Sequence, residues 1–182
     1  MSTLHGLLLA AGLVAEQPQE LIRAPLAALA PAHASGPPLP PALAVVTATV
    51  DELIDALDLD AVVQTRVKSP ASLRAKAARK GLQEHEVLDR LGARVLLSGV
   101  ADCYTLRDAL HARFAVVSGS VDDYIAAPKA NGYRSLHSAL IVGESSEVVE
   151  VQLRTLAMHA YAEQGPAAHQ TYKAVQGAHI AA

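Results

Sequence analysis

Glu150-Val151-Gln152-Leu153-Arg154-Thr155 decides the fold, because its polar and apolar residues alternate with a period of two. Such alternation predicts a strand with Glu150, Gln152 and Arg154 on one face, while Val149, Val151 and Leu153 point into a core. A carboxylate, an amide and a guanidinium in line form a candidate site where that wall meets a pocket. Upstream, Ser138 to Gly143 reads as a second strand, paired antiparallel with Glu147 to Arg154 across residues 144–146. Before it, Asn131-Gly132 is a turn signal and places Tyr133 on a loop. In a chain with one Phe, no Trp and five Tyr, an aromatic in that position is a candidate stacking platform, with core packing as the plainer reading.

Working outward, Leu4 to Ala15 and Gln19 to Ala30 have the spacing of two short Ala/Leu-rich helices. Five prolines between Pro31 and Pro41, with Ser35 and Gly36, mark a linker. The expected organisation is therefore a helical and Pro-rich segment at 1–41 and one domain at 42–182, since 182 residues bury one good core but hardly two. The apolar run Ala42 to Val50 leads to Asp51, a candidate cap for a helix to about Asp58. Ser69 and Pro70 start a helix that Gly81 ends. Ala93 to Ser98 reads as a strand, Ala101 to Phe114 as a helix, and a last helix starts near Thr155, with Gly165-Pro166 as an interruption. Interleaved helices and strands predict an α/β or α+β domain with a mixed sheet.

The formal net charge of −3 argues against a general polyanion binder. Charge is nevertheless concentrated: six Lys or Arg and no acid lie between Arg66 and Lys80, a surface suited to phosphates. Arg74, Arg79 and Lys80 read as solvated surface. The single cysteine, Cys103, cannot form an intrachain disulfide, reads as a buried small hydrophobe and suits a reducing cytoplasm. The apolar opening from Leu7 to Ala15 is too short to span a bilayer and lacks the basic residues of a signal peptide.

The motifs, in order, are Arg66-x-Lys68 with Ser72 and Lys76, Asp89-x-x-Gly92-x-Arg94, and Asp102-Cys103-Tyr104. They continue with Asp123-Tyr124-Ile125-Ala126-x-Pro128-Lys129-x-Asn131-Gly132-Tyr133-x-Ser135-Leu136-His137, Glu150-x-Gln152-x-Arg154-Thr155, Met158-His159, Ala162-Glu163 and Ala167-Ala168-His169. Together they resemble the synthetase domain of the RelA/SpoT family, the enzymes that make (p)ppGpp, over about Arg66 to Lys173. In size the chain is similar to the small alarmone synthetases.

The resemblance implies a nucleotidyltransferase-like mixed sheet of about five strands flanked by helices. It implies transfer of pyrophosphate from ATP to the 3′-hydroxyl of GDP or GTP, with AMP released and Mg²⁺ as cofactor. Asp89 and Glu150 would be catalytic and metal-binding. Arg66, Lys68, Ser72, Lys76 and Arg94 would bind ATP, and Lys129, Asn131, Tyr133, His137, Gln152 and Arg154 the acceptor nucleotide. Without the family, Asp89 reads as a turn cap and Glu150 as a solvated strand residue. The small members commonly form tetramers, so a homo-oligomer is expected; no membrane is involved, and RNA is a secondary partner. Two rival readings are a toxin-like pyrophosphotransferase acting on tRNA 3′ ends or adenine nucleotides, and a non-catalytic RNA-binding regulatory module. His159 and Glu163 at i, i+4 suggest a metal pair, but structural hydrogen bonding is the expected role. Arg113 to Asp122 departs from the family pattern and leaves the choice between GDP and GTP open.

Overall fold

Leu43, Val46, Val50 and Leu53 recur every three or four residues, and all are buried. A stripe of that spacing folds as one amphipathic helix, α1 (Pro41–Ala56). The cap expected at Asp51 is not found. Asp51 lies inside α1, which starts at Pro41, a residue that has no amide hydrogen to leave unpaired. The computed structural model describes residues 38–84, 87–144 and 146–164. The helices expected at 4–15 and 19–30, Gly165-Pro166 and His169 lie outside the described residues.

After α1 come β1 (Ala61–Val67), α2 (Pro70–Lys80), a 3₁₀ turn (Leu88–Arg90), β2 (Leu91–Leu97) and α3 (Val100–Arg113). Two short strands follow, β3 (Ala115–Val116) and β4 (Asp122–Asp123), then β5 (Leu136–Val142), β6 (Glu147–Thr155) and α4 (Leu156–Gln164). The sheet therefore has six strands rather than about five, the extra pairing coming from two-residue pieces beside β5. Its order is β1-β2-β6-β5-β3, with β4 also on β5. The β2–β6 pair is parallel and the others antiparallel, so the sheet is mixed as expected. Helix α2 is capped as its sequence indicates: the Ser69 side chain accepts from the Ser72 amide, and Gly81 closes the helix at φ +66°.

The two sheet faces have opposite chemistry. On one, Val63, Val95, Leu97, Leu140, Val151 and Leu153 form a continuous core with the buried residues of α1 and with Cys103, Leu106 and Leu110 of α3. On the other, register aligns two polar rows. Gln64, Arg94, Gln152 and His137 lie across four neighbouring strands, and Arg66, Gly92, Glu150 and Ala139 form the next row. Small apolar clusters flank this polar face, Val62 and Leu96 with Leu156 from α4, and Leu73 and Ala77 of α2 with Val87. No described helix is long and apolar enough to cross a membrane.

Candidate active site

Glu150 sits on the polar face because β6 alternates as its sequence predicts. Its carboxylate accepts a hydrogen bond from Gln152 Nε2 at 2.8 Å, and His137 Nδ1 lies 3.6 Å from its second oxygen. Burial alone would raise the Glu150 carboxyl, but the His137 bond and charge, with the Gln152 bond, outweigh it and hold the group below the usual range. Glu150 is thus a standing anion.

Asp89 arrives from the 3₁₀ turn that leads into β2, not from the strand itself. Lys68 Nζ and Lys76 Nζ both donate to its Oδ2 at 2.5 Å. Burial pushes the Asp89 carboxyl up, and the two lysines together push it down further, so it too stays ionised below its ordinary value. Its other oxygen, Oδ1, is buried and has no hydrogen-bond partner among the described residues. Lys68 and Lys76, expected as open phosphate clamps, are therefore engaged with the expected metal ligand.

Two clefts meet at these carboxylates. One, of about 310 Å³, is lined by Gln64, Arg66, Gly92, Arg94 and Gln152, and the other, of about 330 Å³, by Lys76, Lys80, Asp122, His137 and Ala139. Asp89 and Glu150 line both. Gly92 falls between Arg66 and Glu150 in the register; a Cβ there would stand 3.8 Å from the backbone oxygens of both. The backbone would accept it, but a longer side chain would enter the cleft. Lys80, read from sequence as plain surface, is instead part of the second wall.

The candidate residues from Lys129 to His137 form an aromatic group. Gly132 turns the chain at φ +78° and packs so close to Tyr161 that a Cβ would meet its Oη at 2.6 Å. The Asn131 side chain accepts from the Tyr133 amide, and Tyr133 Oη lies 3.0 Å from His137 Nε2. Tyr124 meets Tyr133 and His137 edge to face, and Lys129 Nζ lies 4.2 Å from the Tyr124 ring centre and 5.3 Å from that of Tyr133. Tyr124 was not singled out from sequence, although it stands in the quoted Asp-Tyr-Ile motif.

Arg154 is on the expected face but at an unexpected depth, with only 1% of it exposed. Helix α4 covers it: Arg154 Nη2 donates to His159 Nδ1 at 2.7 Å and to Glu163 at 3.2 Å. Its guanidinium lies 5.9 Å from the Tyr133 ring centre. Glu163 also pairs with Arg94 at 3.4 Å, a bridge that sequence spacing did not reveal. Burial, then Arg154 and Arg94, lowers His159, which suits an accepting Nδ1. His159 and Glu163 therefore both hydrogen-bond to Arg154. Ser72 lines neither cleft and shares a hydrogen bond with Ser69 at the start of α2.

No group of three or more His, Cys, Asp or Glu side chains converges as a metal cluster among the described residues. Two carboxylates beside a cationic surface still suit a hard divalent ion that takes its other ligands from phosphate and water. Asp89 Oδ1, without a hydrogen-bond partner among the described residues, fits that donor set.

Fold and site define a class: a mixed sheet whose polar face carries two ionised carboxylates between cation-lined clefts. Residues 65–177 match the family described as "Region found in RelA / SpoT proteins", and the chain belongs to the RelA/SpoT family. It is 44% identical over 138 residues to a GTP pyrophosphokinase of Streptomyces coelicolor, which is 75% of this chain and 16% of that relative. The fold is similar to small alarmone synthetase 1 of Bacillus subtilis bound to its product pppGpp, with TM-score 0.58, 32% identity, and 71% and 73% of the two chains covered. It is also similar to small alarmone synthetase 2 of the same organism, with TM-score 0.62, 28% identity, and coverage of 75% and 77%.

Proposed function

We propose that this chain is a (p)ppGpp synthetase, transferring a pyrophosphoryl group from ATP to the 3′-hydroxyl of GDP or GTP. The observation that carries this reading is that, among the described residues, the two clefts share Asp89 and Glu150 and no others. A reaction between two nucleotides needs two such spaces meeting at the charged groups that act on the phosphates. Family membership and the names of the similar proteins support the same chemistry.

In this reading the acceptor 3′-oxygen bonds to the β phosphorus of ATP as its proton passes to Glu150, the α–β bridging bond breaks, and its electrons leave with AMP. Asp89 and Glu150 would hold Mg²⁺, which supplies neutralisation of phosphate charge. Arg66, Lys68, Lys76 and Arg94 would bind the ATP phosphates and base, with Ser72 at the start of α2. Tyr133 would stack on the acceptor base, with Lys129, Asn131, His137 and Gln152 around it and Arg154 supporting Tyr133 from the interior. The two sets interleave, since Lys76 shares a cleft with His137, and Arg66 and Arg94 share theirs with Gln152. Because Glu150 is held ionised, it can accept the hydrogen bond of the 3′-hydroxyl, orient it and take up its proton as the bond to phosphorus forms. A cytoplasmic location and assembly into homo-oligomers belong to the same reading, and light scattering tests the second.

The test is incubation of the full chain with γ-labelled ATP and Mg²⁺, with GDP, GTP, ATP or bulk tRNA offered separately. Label in ppGpp or pppGpp, lost in Asp89→Ala, is the expected result. Label in tRNA or adenine nucleotides would keep the chemistry and change the acceptor, whereas absence of transfer with salt-sensitive RNA binding would replace the enzyme by a binding module.

A further inference from the structure

Two ammonium groups converge on one oxygen of the carboxylate that the proposed reaction assigns to the metal. Lys68 and Lys76 reach Asp89 Oδ2 from different elements, 21 and 13 residues away in sequence, and the Lys68 side chain is only 9% exposed. The three groups together carry one net positive charge. The second carboxylate is also engaged, by Gln152 on one oxygen and by neighbouring His137 on the other.

We propose that Lys68 and Lys76 keep free divalent cations off Asp89, so that a metal ion is accepted only after a polyphosphate has drawn the lysines away. This deepens the reading above and rests on it in taking a nucleotide polyphosphate as the ligand. A cation approaching Asp89 in the free protein meets two like charges already held on Oδ2. A phosphate chain offers those ammonium groups several anionic oxygens in exchange. As they transfer, the negative charge of Asp89 is no longer offset at the moment a phosphate-bound cation is at hand. Asp89 Oδ1, buried and without a hydrogen-bond partner among the described residues, is then the second free acceptor beside Oδ2. Lys68 and Lys76 thus have two successive partners, and the order of binding follows from the exchange: nucleotide and metal together, never metal first.

The experiment is a titration of Mn²⁺ into the full chain without nucleotide, following free Mn²⁺ by electron paramagnetic resonance. The Lys68→Met/Lys76→Met protein should bind one Mn²⁺ about tenfold or more tightly than the unaltered protein. Adding Asp89→Asn should remove the gain. Lys76→Met alone leaves the more buried lysine in place and should give an intermediate gain; it decides the matter where circular dichroism shows the double variant unfolded. Equal Mn²⁺ affinity before and after lysine removal would overturn the proposal, as would a gain that survives Asp89→Asn. Because no nucleotide enters the titration, failure of label transfer and failure of this exchange are separate results.

Discussion

The two faces of the sheet are made by the same strands and obey different rules. On the apolar face, Val95, Leu140 and Val149 are wholly buried against α1 and α3, and each contact is one of many. On the polar face, Glu150, Gln152, Arg94 and His137 are half-buried, and their charges are balanced by individual partners such as Glu163 on Arg94. The first face supplies stability by area, with losses that scale with the volume removed. The second has little area to spare and depends on particular atoms. Function should therefore separate from stability across a sheet one residue thick.

The sharpest way to break that separation is to alter one atom on the polar face. Glu150→Gln keeps shape and removes charge, and should lower transfer by about 10²–10⁴-fold while the urea midpoint falls far less than on the apolar face. A variant that retained full transfer would remove Glu150 from the site. On the opposite face, Leu140→Ala should reduce unfolding free energy by about 2–5 kcal/mol, measured by denaturant titration. Its transfer rate per folded molecule should be unchanged, and a matching drop in that rate would show that the faces are coupled.

A smaller effect is expected at the aromatic group. Tyr133→Leu should raise the acceptor KM by roughly 5- to 150-fold, the equivalent of about 1–3 kcal/mol of lost base stacking, with the ATP KM little changed. A rise confined to ATP would move Tyr133 to the donor side. The smallest effect is on pH dependence. Asp89 and Glu150 are held below their ordinary values of 3.8 and 4.5, so their contribution to stability is present above those values and is lost as pH falls through the lower native ones. His159, held below 6.5, adds an earlier loss, because the unfolded chain takes up its proton first. Urea midpoints measured from neutral pH downward should begin to fall near that value, and His159→Gln should flatten this first part.

Much of this arrangement is legible in the sequence where a pattern is local. The alternation of β6, the Ser69 and Gly81 ends of α2 and the Asn131-Gly132 turn each follow from residues a few positions apart, and each is found in place. β1 was less visible as a whole because Val62 and Val63 are both buried, one on each face, which blurs the period of two. Asp51 misled because a polar residue after an apolar run looks like a boundary, whereas in a helix it merely faces outward. The alternation assigned Arg154 to the correct face, but its depth is set by α4 folding back over it, a tertiary contact that spacing does not encode. The same holds for Asp89, whose lysine partners come from β1's end and from α2, and for the Glu163 bridge to Arg94.

The most direct test of the central claim, that the shared carboxylates serve pyrophosphoryl transfer between two nucleotides, is the fate of the β phosphorus. With β-labelled ATP and GDP or GTP as acceptor, the expected result is label in the guanine nucleotide together with one AMP released per product formed. Label retained in ADP, with only a single phosphoryl group transferred, would contradict it.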